Sequence, residues 1–317
     1  MDSKLFIKEE VARIKAIVGS DKVICALSGG VDSLVAATMV HQAIGDQLVC
    51  VFVDHGLMRY NEANEIIGLF TKQFGKGFIP VDASDLFLLG LTGVVDSESK
   101  RKIIGELFIR VFEKEAEKVD GAKWLVQGTI YPDVAESGED GHELVKRHHN
   151  VGGLPEKMNL KLIEPLRTLY KNQVREVGRE LGLPEAHVMR QPFPGPGLAI
   201  RVVGGAVDRV ILEKVALADH IVRSEIEKAG LHHGLGQYFA AIPANLNVVG
   251  VLDEKRTEGH VVFVRTVATS DYIEATVSDI PYEVRQIIQK EICDKVDGIT
   301  RVLFDGTPKP PGTIEYE

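Results

Sequence analysis

The sequence predicts an α/β fold in which an N-terminal doubly wound parallel sheet is followed by a smaller α+β domain. Three observations carry that prediction. Short apolar runs alternate with longer helical patterns through the first half of the chain. The run Gln191-Pro192-Phe193-Pro194-Gly195-Pro196-Gly197 then interrupts it. Beyond that run, strands follow one another with fewer helices between them. Strand–helix alternation calls for a parallel sheet covered on both faces. A cluster of prolines and glycines cannot continue a helix or a central strand, so it marks the boundary.

The elements follow in order. Ile7, Val11, Ile14 and Val18 recur at helical spacing among Lys8, Glu9, Glu10 and Arg13, an amphipathic helix and not a signal peptide. Strands are predicted at 23–27, 48–53, 77–81 and 124–126, with helices at 34–44, 63–74 and 102–119. After the boundary come a helix at 208–229 and strands at 237–242, 247–252 and 261–267. A helix at 282–296 and a strand at 299–304 close the pattern. The expected domains are 1–190 and 191–317.

Composition narrows the possible functions. The 317 residues are 44% hydrophobic and 26% charged, which excludes a disordered or fibrous chain and suits two domains. Lys plus Arg number 37 against 46 Asp plus Glu, a formal net charge of −9. Such a chain has no global attraction for nucleic acid or anionic membrane, and neither is expected as a partner. No apolar run reaches the length of a membrane span. Cys25, Cys50 and Cys293 are odd in number and far apart, without a C-x-x-C. That argues for a reducing, cytoplasmic setting.

The most informative stretch is Ser28-Gly29-Gly30-Val31-Asp32-Ser33, followed by Leu34. It leaves the first apolar strand and opens the first long helix. Two glycines allow a sharp turn and close approach of the backbone to a ligand. Main-chain N–H groups, Ser28, Ser33 and the helix N-terminus would together cradle an anion. Asp32 would repel a phosphate unless Mg2+ lay between them. The string is neither a Walker loop nor a Rossmann fingerprint. Read alone, it is also compatible with an ordinary βα turn capped by Ser33 or Asp32.

The string resembles the phosphate loop (PP-loop) of the ATP pyrophosphatases, whose fold is adenine nucleotide alpha hydrolase-like. Further strings resemble one branch, the GMP synthases. They are Phe52-Val53-Asp54-His55-Gly56-Leu57-Met58-Arg59, Lys100-Arg101-Lys102-Ile103-Ile104-Gly105 and Gln127-Gly128-Thr129-Ile130-Tyr131-Pro132-Asp133. His148-His149-Asn150-Val151-Gly152-Gly153-Leu154-Pro155, the Pro-Gly run and the C-terminal Lys309-Pro310-Pro311-Gly312-Thr313-Ile314-Glu315-Tyr316-Glu317 complete the set. They cover nearly the whole chain in the family's order. Within the family, the nearest likeness is to the synthetase subunit of a two-subunit enzyme.

The resemblance implies a C–N ligase that uses ATP and Mg2+. It would adenylylate the C2 oxygen of xanthosine monophosphate (XMP) and then aminate C2 with ammonia, giving GMP and AMP. It implies that Ser28, Gly29, Gly30, Val31, Asp32, Ser33 and Leu34 hold ATP, with Asp32 on the metal. Val53 and Gly128 would lie by the adenine. Asp133, Glu136, Lys146, His148 and His149 would be the catalytic lid residues. Arg101, Arg201, Lys309, Thr313, Ile314 and Glu315 would bind XMP. The second domain would also form a homodimer. The chain begins 27 residues before the loop. The expectation is therefore that ammonia comes from a separate glutamine amidotransferase subunit. A tRNA-modifying ATP pyrophosphatase and a catalytically silent regulator remain the alternatives.

Overall fold

The computed structural model describes residues 1–136, 160–252, 254–269 and 273–317, with the backbone alone at 136 and 252. They fall into two compact units. The first comprises Met1–His55, Ala63–Ser84 and Ile104–Arg190, and the second Gly56–Glu62, Asp85–Ile103 and Gln191–Glu317. Two segments that precede residue 190 in the chain thus group with the second unit.

The first unit is built on a five-stranded sheet. Its strands are β1 (Lys22–Leu27), β2 (Leu48–Asp54), β3 (Phe78–Asp82), β4 (Ala122–Val126) and β5 (Lys161–Ile163). All pairings are parallel and the order is β3-β2-β1-β4-β5. From β1 the chain moves outward to β2 and β3, then returns to place β4 on the other side of β1. The reversal makes the carboxyl ends of β1 and β4 the switch point where ligands bind in such sheets. Val23, Ile24 and Leu27 are fully buried, as the near-continuous apolar strand requires. Cys25 and Cys50 face each other across β1 and β2 as buried free thiols.

Helix α1 (Ser3–Val18) starts at Asp2, whose carboxylate accepts the Lys4 and Leu5 N–H groups at 3.0 and 3.1 Å. It buries Ile7, Ile14 and Val18. Helix α2 (Val31–Ile44) is apolar nearly all round, because it packs against β1, α1 and the helix Lys171–Glu180 together.

Some features differ from the sequence expectation. Strand β5 is one, since three residues are too few to display an alternating pattern. The helix Lys171–Glu180 is another. Its mostly polar sequence buries only Val174, Val177 and Gly178. The helix expected at 102–119 runs Ser97–Ala116 instead. Asp96 starts it early by accepting the Ser99 N–H at 2.8 Å.

The second unit holds a mixed sheet: β6 (Val202–Val203), β7 (Gln237–Pro243), β8 (Asn247–Leu252), β9 (Lys255–Ala268), β10 (Thr276–Val277) and β11 (Ile299–Asp305). The order is β10-β9-β7-β6, with β8 and β11 also pairing to β9. Sequence periodicity exposes only the apolar end of β9. Its first half, Lys255 to His260, is mostly polar and exposed, yet pairs along β8 through the backbone. The helix Arg209–Lys228 is capped by Asp208, which accepts the Ile211 N–H at 2.9 Å, and it packs on β7. Among the described residues no helix is long and apolar enough to cross a membrane.

Candidate active site

The first site lies at the carboxyl end of β1. Gly29 turns the chain with φ +74°, a conformation in which a side chain is strained. Gly30 is the N-cap of α2 and offers no side-chain acceptor, so the first helical N–H groups are left to an external anion. A hydroxyl network shapes the turn. Ser28 N–H donates to Ser33 Oγ at 3.3 Å and the two hydroxyl oxygens lie 3.1 Å apart. Gly30 N–H donates to Ser28 Oγ at 3.3 Å, and Ser33 Oγ donates to the Gly30 carbonyl at 3.0 Å. Val31 and Leu34 turn their side chains into the core, and the Leu34 N–H already donates to the Gly30 carbonyl at 3.2 Å. The surface that the turn offers to an anion is therefore main chain plus two hydroxyls.

Asp32 stands at this surface. Its Oδ2 accepts from Lys171 Nζ at 2.5 Å, while its Oδ1 is buried without a hydrogen-bond partner. A buried carboxylate oxygen left bare beside an anion cradle fits a hard, oxygen-seeking cation such as Mg2+. Arg190 donates to the Gly29 carbonyl. Sequence reading misses both cations, since Lys171 lies 139 residues and Arg190 161 residues from its partner. Lys171 does carry a signal. It is the first residue of its helix, where a cation meets the positive end of the helix dipole and needs a compensating anion.

The end of β4 closes against the same loop. A Cβ on Gly128 would meet the main chain of Asp32 and Ser33. Val53, near the end of β2, is buried, only 2% exposed. Asp133 lies in the short helix Tyr131–Glu136, where its Oδ2 accepts the Ile130 N–H at 2.8 Å as half of a capping box.

In the second unit, cations gather around the C-terminal segment. Arg201 is 1% exposed. It donates to Asp219 Oδ1 at 2.9 Å and to both Glu315 oxygens, at 2.9 and 3.2 Å. Asp219 also accepts from Arg223 Nε at 2.9 Å and lies 4.0 Å from Arg59 Nε. Burial pushes the Asp219 carboxyl up. Arg201, Arg223 and Arg59 outweigh it and hold the group below the usual carboxylate range. Arg265, also 1% exposed, donates to the Thr313 carbonyl at 2.9 Å and to the Thr307 carbonyl. Lys309 pairs with Ala275 through two main-chain hydrogen bonds, 2.8 and 3.0 Å. Ile314 is half-buried and Thr313 exposed. The Lys100-Arg101-Lys102 run, which by spacing alone is a solvated face, divides its residues: Lys100 is buried, Arg101 half-buried and Lys102 exposed. Arg101 donates to the main-chain oxygen of Glu317.

Residues 224–316 match the GMP synthase C-terminal domain family and residues 1–86 match the NAD synthase family. The chain is 55% identical over 312 residues to the glutamine-hydrolysing GMP synthase of Clostridium perfringens, and 54% identical to that of Heliobacterium modesticaldum. Over nearly its whole length the chain is similar to GMP synthases. These alignments take in 98% of this chain but 61% of each relative, so it spans under two thirds of the length of those enzymes. Among solved structures, the NMN synthetase of Francisella tularensis matches 62% of this chain and 78% of its own at 14% identity, with a TM-score of 0.46.

Of the residues that the GMP synthase resemblance singles out, the structure brings Ser28, Gly29, Gly30, Asp32, Ser33 and Gly128 together at one sheet end. It gathers Arg201, Thr313 and Glu315 in the second unit, with Arg101 and Lys309 bonded at either end of the same C-terminal segment. Lys146, His148, His149 and the side chain of Glu136 lie outside the described residues.

Proposed function

We propose that this chain is the ATP pyrophosphatase part of a GMP synthase. It adenylylates XMP and aminates the product. The reading is carried by the Ser28–Ser33 turn at the sheet's switch point, with a carboxylate and a lysine in contact at its mouth.

The chemistry needs no protein nucleophile. The XMP C2 oxygen forms a bond to the α-phosphorus of ATP, and the bond from that phosphorus to the bridging oxygen breaks. The electron pair leaves with pyrophosphate. Ammonia then adds at C2 and gives up a proton, and the C2–O bond breaks, releasing AMP and leaving GMP. The protein stabilises charge on the departing pyrophosphate. The N-terminal N–H groups of α2, the Ser28 and Ser33 hydroxyls and Lys171 supply fixed positive potential there. Asp32 would hold Mg2+, which when bound neutralises phosphate charge. Val53 and Gly128 lie by the adenine in this reading. Asp133, Glu136, Lys146, His148 and His149 form the lid over the reacting groups.

XMP is read in the second unit by Thr313, Ile314 and Glu315, with Arg101 and Lys309 toward its phosphate. Arg201 has its guanidinium buried between Asp219 and Glu315, so it acts through Glu315. The chain works in the cytoplasm as a homodimer formed through its second unit, and a separate glutamine amidotransferase subunit delivers the ammonia.

The test is direct. Purified chain with ATP, Mg2+, XMP and ammonium salt should release pyrophosphate, AMP and GMP in equal amounts. Pyrophosphate release that does not depend on XMP would overturn the reading.

A further inference from the structure

Among the described residues, three of the largest fully buried side chains are cations: Arg201, Arg265 and Lys100. Each binds the C-terminal segment. Arg265 takes the Thr313 carbonyl and Arg201 takes Glu315. Lys100, fully buried, reaches Glu317 across 217 residues of sequence. Its ammonium donates at 3.2 Å to the Ala199 carbonyl, at 2.7 Å to the Val202 carbonyl and at 2.7 Å to Glu317 Oε2. An ammonium has three donors and no acceptor, so the set is complete. Two of the three bonds go to main-chain oxygens of the segment that follows the Pro-Gly run. The position of the ammonium is thus set by the framework, and its third donor is aimed outward at the tail. The other oxygen of Glu317, Oε1, accepts the Gly204 N–H at 2.6 Å. Glu317 therefore sits in a clip with one donor on each carboxylate oxygen.

We propose that Lys100 is a positioning residue that fixes the register of the C-terminal tail through Glu317. This rests on the reading that the tail holds XMP. Thr313, Ile314 and Glu315 are then pinned at both ends, by Arg265 at the Thr313 carbonyl and by the clip at Glu317. A chain advances at most about 3.5 Å per residue, so fixing Glu317 confines Glu315 to within roughly 7 Å along the tail. A buried lysine suits this task, because an unpaired charge there is too costly to leave the tail free to wander.

The test uses the full chain with Glu317→Ala, Glu317→Gln and Lys100→Met. Amide hydrogen exchange is read first, without nucleotide. Glu317→Ala, which removes the tail's half of the pair, should speed exchange at residues 313–317 by on the order of tenfold or more. Glu317→Gln keeps one acceptor oxygen but sets its amide NH2 against the other donor, so it should also speed exchange, by several-fold or more. Lys100→Met should match Glu317→Ala. Unchanged exchange in Glu317→Ala would overturn the proposal whatever becomes of Lys100→Met. Steady-state kinetics are read second: the KM for XMP should rise by about tenfold or more with the KM for ATP unmoved. Faster exchange with an unmoved KM for XMP would uphold the clip and overturn instead the reading that the tail binds XMP.

Discussion

Gly128 lies so close to Asp32 that a Cβ on it would stand 2.9 Å from the Asp32 carbonyl carbon and 2.9 Å from the Ser33 nitrogen. The loop after β4 is thereby seated on the first turn of α2, and the geometry of the phosphate turn depends on a hydrogen at position 128.

Gly128→Ala should therefore push the turn out of place. A shift of about 1 Å at a reacting group costs on the order of 100-fold in rate, and that loss is expected in kcat/KM for ATP. Overpacking of this kind destabilises by roughly 1–3 kcal/mol. Kinetics together with thermal unfolding check both figures, and parental activity in the Gly128→Ala variant would contradict the contact.

Asp32 and Lys171 should separate activity from stability. Their side chains are 28% and 39% exposed, so solvent screens the pair. Asp32→Asn and Lys171→Met should each change unfolding free energy by less than about 1 kcal/mol. Each should cost on the order of 100-fold or more in pyrophosphate release, as expected when a positioned charge is lost. Urea titration and a pyrophosphate assay on the same samples test this split.

Asp219 should behave in the opposite way. It is fully buried among Arg201, Arg223 and Arg59. Asp219→Asn should destabilise the protein by about 3–5 kcal/mol, the usual cost of leaving buried charges uncompensated. The pH dependence has a definite sign. The folded carboxyl titrates below its unfolded value of about 3.9. Its contribution is therefore present above that pH and is lost as pH falls through the folded value. The urea midpoint of the parent should hold between neutrality and about pH 4 on this account and drop below it. Asp219→Asn should flatten the drop.

Deleting residues 309–317 should raise the KM for XMP by about 100-fold or more while leaving ATP binding to the first unit unchanged. Isothermal titration with each nucleotide separates the two effects. Equal loss of both would contradict the assignment of separate roles to the two units.

Much of the fold is legible in the sequence because most elements have a clear period. The apolar run at 23–27 and the helical spacing at 34–44 lie within β1 and α2. The strand at 247–252 and the helix opening at Tyr282 carry the same signal. What escapes has no local signature. The three residues of β5 are held only by pairing with β4. The polar half of β9 is a strand because β8 lies beside it. Gly56–Glu62 and Asp85–Ile103 group with the second unit through tertiary packing, to which periodicity is blind.

The candidate site divides in the same way. Ser28, Asp32 and Ser33 are contiguous and can be read as a motif. Lys171 and Arg190 reach them from far along the chain. Lys100 is hidden for another reason. Three adjacent basic residues look like a solvated helix face, and only the fold reveals that the first of them is buried against the Ala199 and Val202 carbonyls.

The central claim is that the C2 oxygen of XMP attacks the α-phosphorus held above the Ser28–Ser33 turn. XMP carrying 18O at C2 tests it most directly. With ATP, Mg2+ and ammonium salt, the label should pass quantitatively into the phosphate of AMP, leaving pyrophosphate and GMP unlabelled. Label recovered in pyrophosphate or in water, with unlabelled AMP, would contradict it.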